Sequence, residues 1–181
     1  MNRTPGRFLV ITGLSGSGKS VANRFLEDLG FFCVDNLPAK LMPSFVDLRR
    51  RKMDALDRVA LVMDMREQGF LKDFPREWEK IRKTPGALLL FFDASDETIV
   101  RRFSESRRQH PLSRGRSVLD CVRLERNRLA PIKDLADEVI NTSTMTIAHL
   151  RDVLARRFAQ AGNRPLQPAI DTVARVPGQV G

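Results

Sequence analysis

Tyrosine is missing from this 181-residue sequence, tryptophan occurs once, and eleven phenylalanines bring the aromatic share only to 7%. Most of those phenylalanines fall at apolar, periodic positions that read as core, so no aromatic platform for stacking bases is expected. Cysteine is as scarce: Cys33 and Cys121 lack the paired spacing of a metal site and suit a reducing cytoplasm. Cys33 lies in an apolar run and reads as core rather than as a nucleophile. His110 and His149 have no neighbour in sequence that suggests a metal. No apolar run approaches the ~20 residues of a membrane-spanning helix. Met1-Asn2-Arg3-Thr4-Pro5 leads straight into an apolar run, so neither a membrane span nor a signal peptide is expected. Internal repeats and low-complexity blocks are absent too.

Positive charge, by contrast, is in excess. Lysine and arginine number 31 against 22 acidic residues, for a formal net charge of +9. That balance suits an anionic partner, nucleotide or RNA, and equally serves plain solubility. The length fits one domain with a real core.

One stretch organises the chain. Phe8-Leu9-Val10-Ile11 reads as a short buried strand, a glycine-rich turn follows, and Val21, Ala22, Phe25, Leu26 and Leu29 then recur at helical spacing. Gly13-x-x-x-x-Gly18-Lys19-Ser20 is the Walker A pattern in the strand-then-helix context it requires. Glycines let backbone N–H groups converge on phosphate oxygens, and the helix N-terminus adds partial positive charge behind them. The expected phosphate cradle is therefore Gly13, Leu14, Ser15, Gly16, Ser17, Gly18, Lys19 and Ser20. Lys19 would reach the β- and γ-phosphates and the Ser20 hydroxyl would ligate Mg²⁺.

The rest alternates strand and helix. Phe31 to Val34 reads as a second buried strand ending at Asp35, and Ser44 as the cap of a helix running to about Asp57, with Phe45, Val46 and Leu48 inward. Arg49-Arg50-Arg51-Lys52 on that helix reads as a solvated face, with an RNA contact as the alternative. Val59 to Met63 is a third strand, apolar on both faces as in a parallel sheet. The aspartate at its end, Asp64, reads as the Walker B carboxylate that holds Mg²⁺, or else as a cap on the next helix. Phe70, Leu71, Phe74, Trp78 and Ile81 mark a helix that Pro75 interrupts or restarts. Ala87 to Asp93 is a fourth strand.

Asp96 reads as the cap of an arginine-rich helix that ends at His110-Pro111-Leu112. A basic loop with Arg114 and Arg116 follows, and Ser117 opens another helix, through about Leu129, with a capping box. Arginines beside a basic loop after the fourth strand resemble the lid of a phosphoryl-transfer enzyme, with Arg107 and Arg108 nearest the loop; a solvated helix paired with Glu97 and Glu105 is the alternative. Ala136 to Thr142 is a fifth strand. Thr146 caps a last helix with Ile147, Leu150, Val153, Leu154 and Phe158 inward. The expected organisation is an α/β P-loop nucleotide-binding domain over residues 1–158, then a disordered tail or linker over 159–181. Ligand would bind at the carboxyl ends of the strands, where Gly13 to Ser20, Asp35 and Asp64 all fall.

With the P-loop, Leu26 to Pro38 and Arg101 to Leu112 in view, the sequence resembles the RapZ (YvcJ) family of P-loop nucleotide-binding proteins from about Arg7 to Phe158. Cys33 to Pro38 and Arg107 to Leu112 are the more specific matches. The resemblance implies a kinase-like P-loop NTPase domain with a five-stranded parallel sheet of order 2-3-1-4-5, ATP and GTP binding, and weak hydrolysis. It implies a role as an RNase adapter that presents a small regulatory RNA to an endoribonuclease. A proposed GTP motif of the family falls on Asp64, Met65, Arg66 and Glu67; many members carry a small polar residue where Glu67 stands. Family members also carry a second domain of similar size with most of the RNA-binding basic tail, which this sequence does not include. RNA binding by these residues is therefore expected to be weak, and oligomer formation is left open.

Three functions compete at this stage: a regulatory nucleotide-binding domain with slow NTPase activity, a small-molecule kinase with Asp35 near the acceptor hydroxyl, and an RNA-binding module switched by nucleotide. A Ras-like GTPase is disfavoured, since Asn-Lys-x-Asp is absent and Asp64-Met65-Arg66-Glu67 lacks the glycine of Asp-x-x-Gly.

Overall fold

A computed structural model describes residues 7–51, 56–67, 69–106, 109–113 and 115–159. Of the tail expected over 159–181, all but Ala159 lies outside the described residues, as do Lys52, Arg107, Arg108 and Arg114. Five strands, β1 (Phe8–Gly13), β2 (Phe32–Val34), β3 (Val59–Val62), β4 (Ala87–Asp93) and β5 (Glu138–Asn141), form one sheet in the order β2-β3-β1-β4-β5. Every neighbouring pair is parallel. Among the described residues six α-helices accompany them: α1 (Lys19–Asp28), α2 (Met42–Arg50), α3 (Phe70–Ile81), α4 (Asp96–Ser104), α5 (Val118–Lys133) and α6 (Ile147–Phe158).

The period-two alternation of β1 divides the core. Phe8 and Val10 join Phe70, Phe74 and Trp78 of α3 and Val122 and Leu129 of α5 on one face. Leu9 and Ile11 join Ala22 and Leu26 of α1 and Leu150, Leu154 and Phe158 of α6 on the other. With both faces covered, the middle strands are apolar throughout, as a parallel sheet requires. The carboxyl ends of β1, β3, β4 and β5 then meet at one rim, the usual ligand edge of such a sheet.

Several expectations need correction. β2 is an edge strand rather than a buried one: it pairs only with β3, and Phe32 is 45% exposed. α2 starts two residues before Ser44, because Pro43 fits a first turn, where its missing N–H breaks no bond. α2 stops at Arg50 rather than near Asp57, and Leu48 is exposed. α3 runs continuously through Pro75, which forfeits the hydrogen bond to residue 71 while the burial of Phe74, Trp78 and Ile81 holds the helix; Leu71 faces solvent. Ser95, not Asp96, caps α4, its Oγ accepting from the Thr98 N–H at 3.2 Å, and α4 ends at Ser104 rather than near His110. α5 opens on the expected capping box, with the Asp120 N–H donating to Ser117 Oγ, and runs on to Lys133. Thr146 caps α6 as expected, but Ile147 is 65% exposed.

One polar cluster fixes α5 against the sheet. Asp93, the last residue of β4, accepts from Arg126 at 2.8 Å and from Lys133 at 2.7 Å. Arg126 reaches on to Asp96 and to the Ala94 carbonyl. Burial alone would raise the Asp93 pKa, yet the hydrogen bonds and charges of Lys133 and Arg126 hold it below the usual carboxylate value.

Gly13 is where this packing leaves no room for a side chain. Its φ is +136°, and a Cβ there would meet the Phe92 carbonyl oxygen at 2.0 Å. Gly13→Ala is expected to destabilise the domain by about 2–4 kcal/mol through clash and backbone strain. Gly115→Ala, in open space at φ +77°, should lose only about 1 kcal/mol. Urea denaturation of the two variants checks the contrast, and equal losses would mean that β1 does not lie on β4 as described.

Candidate functional site

β1 delivers the chain to Gly13, and the loop that follows wraps back to start α1 at Lys19. Gly18 takes the N-cap position with φ +103°, and no side chain caps α1. The helix therefore presents its first N–H groups to whatever acceptor the site receives.

Lys19 is the central charge. The residue is only 7% exposed. Its Nζ donates to the carbonyls of Gly13 at 2.6 Å and Leu14 at 2.9 Å and lies 3.6 Å from Asp64 Oδ2. Burial pushes the ammonium below the ordinary lysine pKa, and the charges of Asp64 and Glu125 restore only part of the loss. Asp64 follows β3 and is itself buried. Its Oδ1 accepts from the Arg66 backbone N–H at 3.0 Å and lies 3.2 Å from Arg66 Nε. Burial works to raise its pKa, but Lys19, then the backbone N–H and side chain of Arg66, hold the carboxyl below its usual range.

A cavity of about 660 Å³ opens above this floor. Two groups of residues line it: Lys19, Ser20 and Asp64, and, after β5, Met145 and Thr146 with Ile147, the first residue of α6. Arg102 of α4 bridges the two sides. It donates to the Gly16 carbonyl at 2.9 Å and to Thr142 at Oγ1 (3.1 Å) and the carbonyl (2.8 Å). Thr142 Oγ1 donates in turn to the Ser17 carbonyl at 2.8 Å.

Behind the loop lies a group that sequence reasoning missed. Glu125 of α5, 1% exposed, accepts from the Ser15 N–H at 3.0 Å and from the Ser15 hydroxyl at 2.8 Å. His110, equally buried, places Nε2 3.2 Å from the same carboxylate. Its Nδ1 accepts from the Leu112 N–H at 3.2 Å, which leaves the ring proton on Nε2 to donate to Glu125. The P-loop is thereby tied through Glu125 to the segment 109–113, two members of which, Gln109 and Pro111, line the cavity.

The structure thus brings Ser15, Gly16, Ser17, Gly18, Lys19, Ser20, Asp64 and Arg66 together around one cavity, with Gly13, Leu14 and Met65 adjoining. It does not bring Asp35 or Glu67 there. Asp35 is exposed beyond the end of β2 and forms no part of the cavity wall. Glu67 turns to the loop after β2, accepting from the Ala39 N–H at 3.0 Å. Among the described arginines of the expected lid cluster, Arg102 reaches the P-loop. Cys33, its thiol pushed up to about 12 by burial, has no place in the chemistry.

Comparison with known proteins agrees with this geometry. The family described as the RapZ-like N-terminal domain matches residues 7–163. A protein of Solibacter usitatus named nucleotide-binding protein is 49% identical over 150 residues, which cover 83% of this chain and 47% of that protein. A nucleotide-binding protein of Geobacter sulfurreducens is 48% identical over 162 residues, 88% of this chain and 57% of its own length. The chain spans about half the length of the curated relatives it matches. Among solved structures, a shikimate kinase from Bacteroides thetaiotaomicron is similar with a TM-score of 0.56 at 16% identity, covering 82% of this chain and 96% of that one. At that identity the likeness is one of fold: a P-loop kinase architecture.

The Glu125 clamp makes a prediction of its own. Glu125→Ala leaves the Ser15 N–H, the Ser15 hydroxyl and His110 Nε2 without an acceptor and is expected to destabilise the domain by about 3 kcal/mol. Glu125→Gln keeps the volume and one acceptor oxygen and should lose about half as much. Denaturation midpoints of the two variants decide it; a loss under about 1 kcal/mol for the alanine variant would show that the clamp does not hold the loop.

Proposed function

The chain belongs to the RapZ-like N-terminal domain family, and on that premise we propose that it is a regulatory nucleotide-binding domain that takes ATP or GTP with Mg²⁺ above Gly13 to Ser20 and hydrolyses it slowly. The Lys19 ammonium carries this reading. It is buried against two carbonyls, shares one carboxylate with Arg66, and lies at the floor of a cavity onto which an uncapped helix N-terminus opens. Phosphate oxygens are the acceptors that such an arrangement favours. The names of the curated relatives support the same ligand class.

In this reading Lys19 leaves the Gly13 and Leu14 carbonyls for the β- and γ-phosphates, and the N–H groups from Gly16 to Ser20 surround them. The donor set fits Mg²⁺: Ser20 presents an exposed hydroxyl and Asp64 a carboxylate held in its charged form, both hard oxygens in one cavity. When bound, the ion would neutralise charge on the phosphates. Arg102 and Met145 to Ile147 would hold the nucleoside, which would cover the exposed Ile147 side chain. Arg107 and Arg108 remain proposed partners of the transferring phosphoryl group, and Arg66 of a GTP phosphate.

Among the described residues that line the cavity, Asp64 is the one carboxylate. With Asp64 engaged by Lys19 and the metal, no second carboxylate there takes a proton from water, which supports slow turnover. A small-molecule kinase would need Asp35 beside an acceptor hydroxyl, and the position of Asp35 outside the cavity wall weighs against it. The adapter role toward RNA and an endoribonuclease we assign to full-length relatives. This chain would contribute weak RNA contacts that fade steeply with salt. A cytoplasmic setting, which the two free cysteines suit, is part of the same proposal. No described helix is long and apolar enough to cross a membrane.

Lys19→Ala should weaken nucleotide binding by at least about tenfold, or about 1.4 kcal/mol. Titration of a fluorescent ATP analogue reads this directly, and equal affinities would remove the P-loop from the function. Asp64→Asn should reduce hydrolysis more than binding, because backbone N–H groups hold the phosphates while Asp64 acts through the metal. Phosphate release measured beside the binding titration separates the two, and a parallel fall in both would refute the assignment.

A further inference from the structure

A second cavity, of about 440 Å³, adjoins the first and shares Arg66 and Pro111 with it. The remaining wall is Met65, Leu112, Arg116 and Arg128. Half of its lining side chains are therefore arginines, drawn from three separate places: the loop after β3, the connection between α4 and α5, and α5 itself.

Two of these arginines, Arg116 and Arg128, differ from the other cations nearby in having no counter-charge. Arg126 pairs with Asp93 and Asp96, Lys133 with Asp93 and Lys19 with Asp64, while Arg102 donates to Gly16 and Thr142. Arg66 has only the Asp64 carboxylate, which Lys19 already shares. Among the described residues, the guanidinium groups of Arg116 and Arg128 have no carboxylate and no hydrogen-bond acceptor. Two uncompensated charges on one concavity, with Arg66 beside them, favour an anion there.

We propose that this cavity binds a small organic phosphate through Arg116 and Arg128, beside the nucleotide cavity with which it shares Arg66 and Pro111. Guanidinium forks match phosphate oxygens in pairs, and the two uncompensated ones, Arg116 and Arg128, balance a dianion, whereas a lone carboxylate would leave positive charge in excess. Met65, Pro111 and Leu112 supply an apolar wall for a compact carbon skeleton. The volume falls at the small end of ligand pockets, roughly 300–1,000 Å³. The proposal does not depend on what fills the first cavity.

Calorimetric titration of phenyl phosphate into the wild-type chain, Lys19→Ala and the double variant Arg116→Gln/Arg128→Gln tests it. Lys19→Ala weakens the P-loop site, so binding that is unchanged by it and lost in the double variant belongs to the second cavity. Binding should survive in Lys19→Ala and fall roughly tenfold or more in the double variant. Benzoate should bind more weakly than phenyl phosphate. The double variant should keep its nucleotide affinity and its thermal midpoint. The proposal is overturned if wild type does not bind phenyl phosphate, if Lys19→Ala alone abolishes binding, or if benzoate binds equally well. It is also overturned if the double variant loses affinity only for a single-stranded RNA, since the arginines would then face a polyanion. A chain that fails to bind nucleotide yet binds phenyl phosphate through Arg116 and Arg128 would refute the nucleotide reading and leave this one standing.

Discussion

A lysine ammonium enclosed by protein has to be compensated, and the rim of this sheet is arranged around that requirement. Lys19 is the first residue of α1, where the helix end already carries partial positive charge. Removing such a cation from water costs several kcal/mol unless oxygen atoms surround it. The Gly13 and Leu14 carbonyls supply two, and Asp64 supplies a full negative charge. Asp64 is available because β3 pairs with β1, Val62 opposite Ile11, so that the chain beyond β3 emerges beside Gly13. A strand order with β3 elsewhere would leave Lys19 without its carboxylate.

A second set of contacts keeps the loop in place. Asp93 and Asp96 hold Arg126, which fixes α5 on the carboxyl end of β4. The residue before Arg126 is Glu125, and that neighbour meets Ser15 from beneath. His110 then joins the same carboxylate to the segment after α4. Loop position, helix position and the wall of the cavity are thus coupled through a few buried polar atoms. Such networks hold geometry well when every member has its partner.

Much of this was legible in the sequence because its signals are local. The alternation of Phe8 to Ile11, the spacing of Gly13, Gly18, Lys19 and Ser20, and the apolar runs ending at Asp64 and Asp93 report their surroundings within a few residues. Order 2-3-1-4-5 came from resemblance to a family, since pairing of β3 with β1 leaves no mark on either strand. Glu125 was invisible for a related reason: 110 residues separate it from Ser15, and a glutamate within an arginine-rich helix looks like a surface residue. His110 gives no sign of burial beside Arg107 and Arg108. Arg102 looked equivalent to its neighbours, and only the fold shows which arginine of that helix reaches Gly16. Leu48, Leu71 and Ile147 were placed inward on hydrophobicity alone, and nothing in their spacing marks where a helix turns from sheet to solvent.

The central claim is that the P-loop face of α1, and not the basic surface at large, receives the phosphates. Backbone amide chemical shifts, followed by NMR as ATP and Mg²⁺ are added, test it most directly. The account predicts large, saturable changes confined to Gly16 through Ser20, with smaller ones at Arg102 and at Met145 through Ile147. Changes spread over Arg49, Arg51 and the other surface arginines with the Gly16–Ser20 amides unmoved would contradict it.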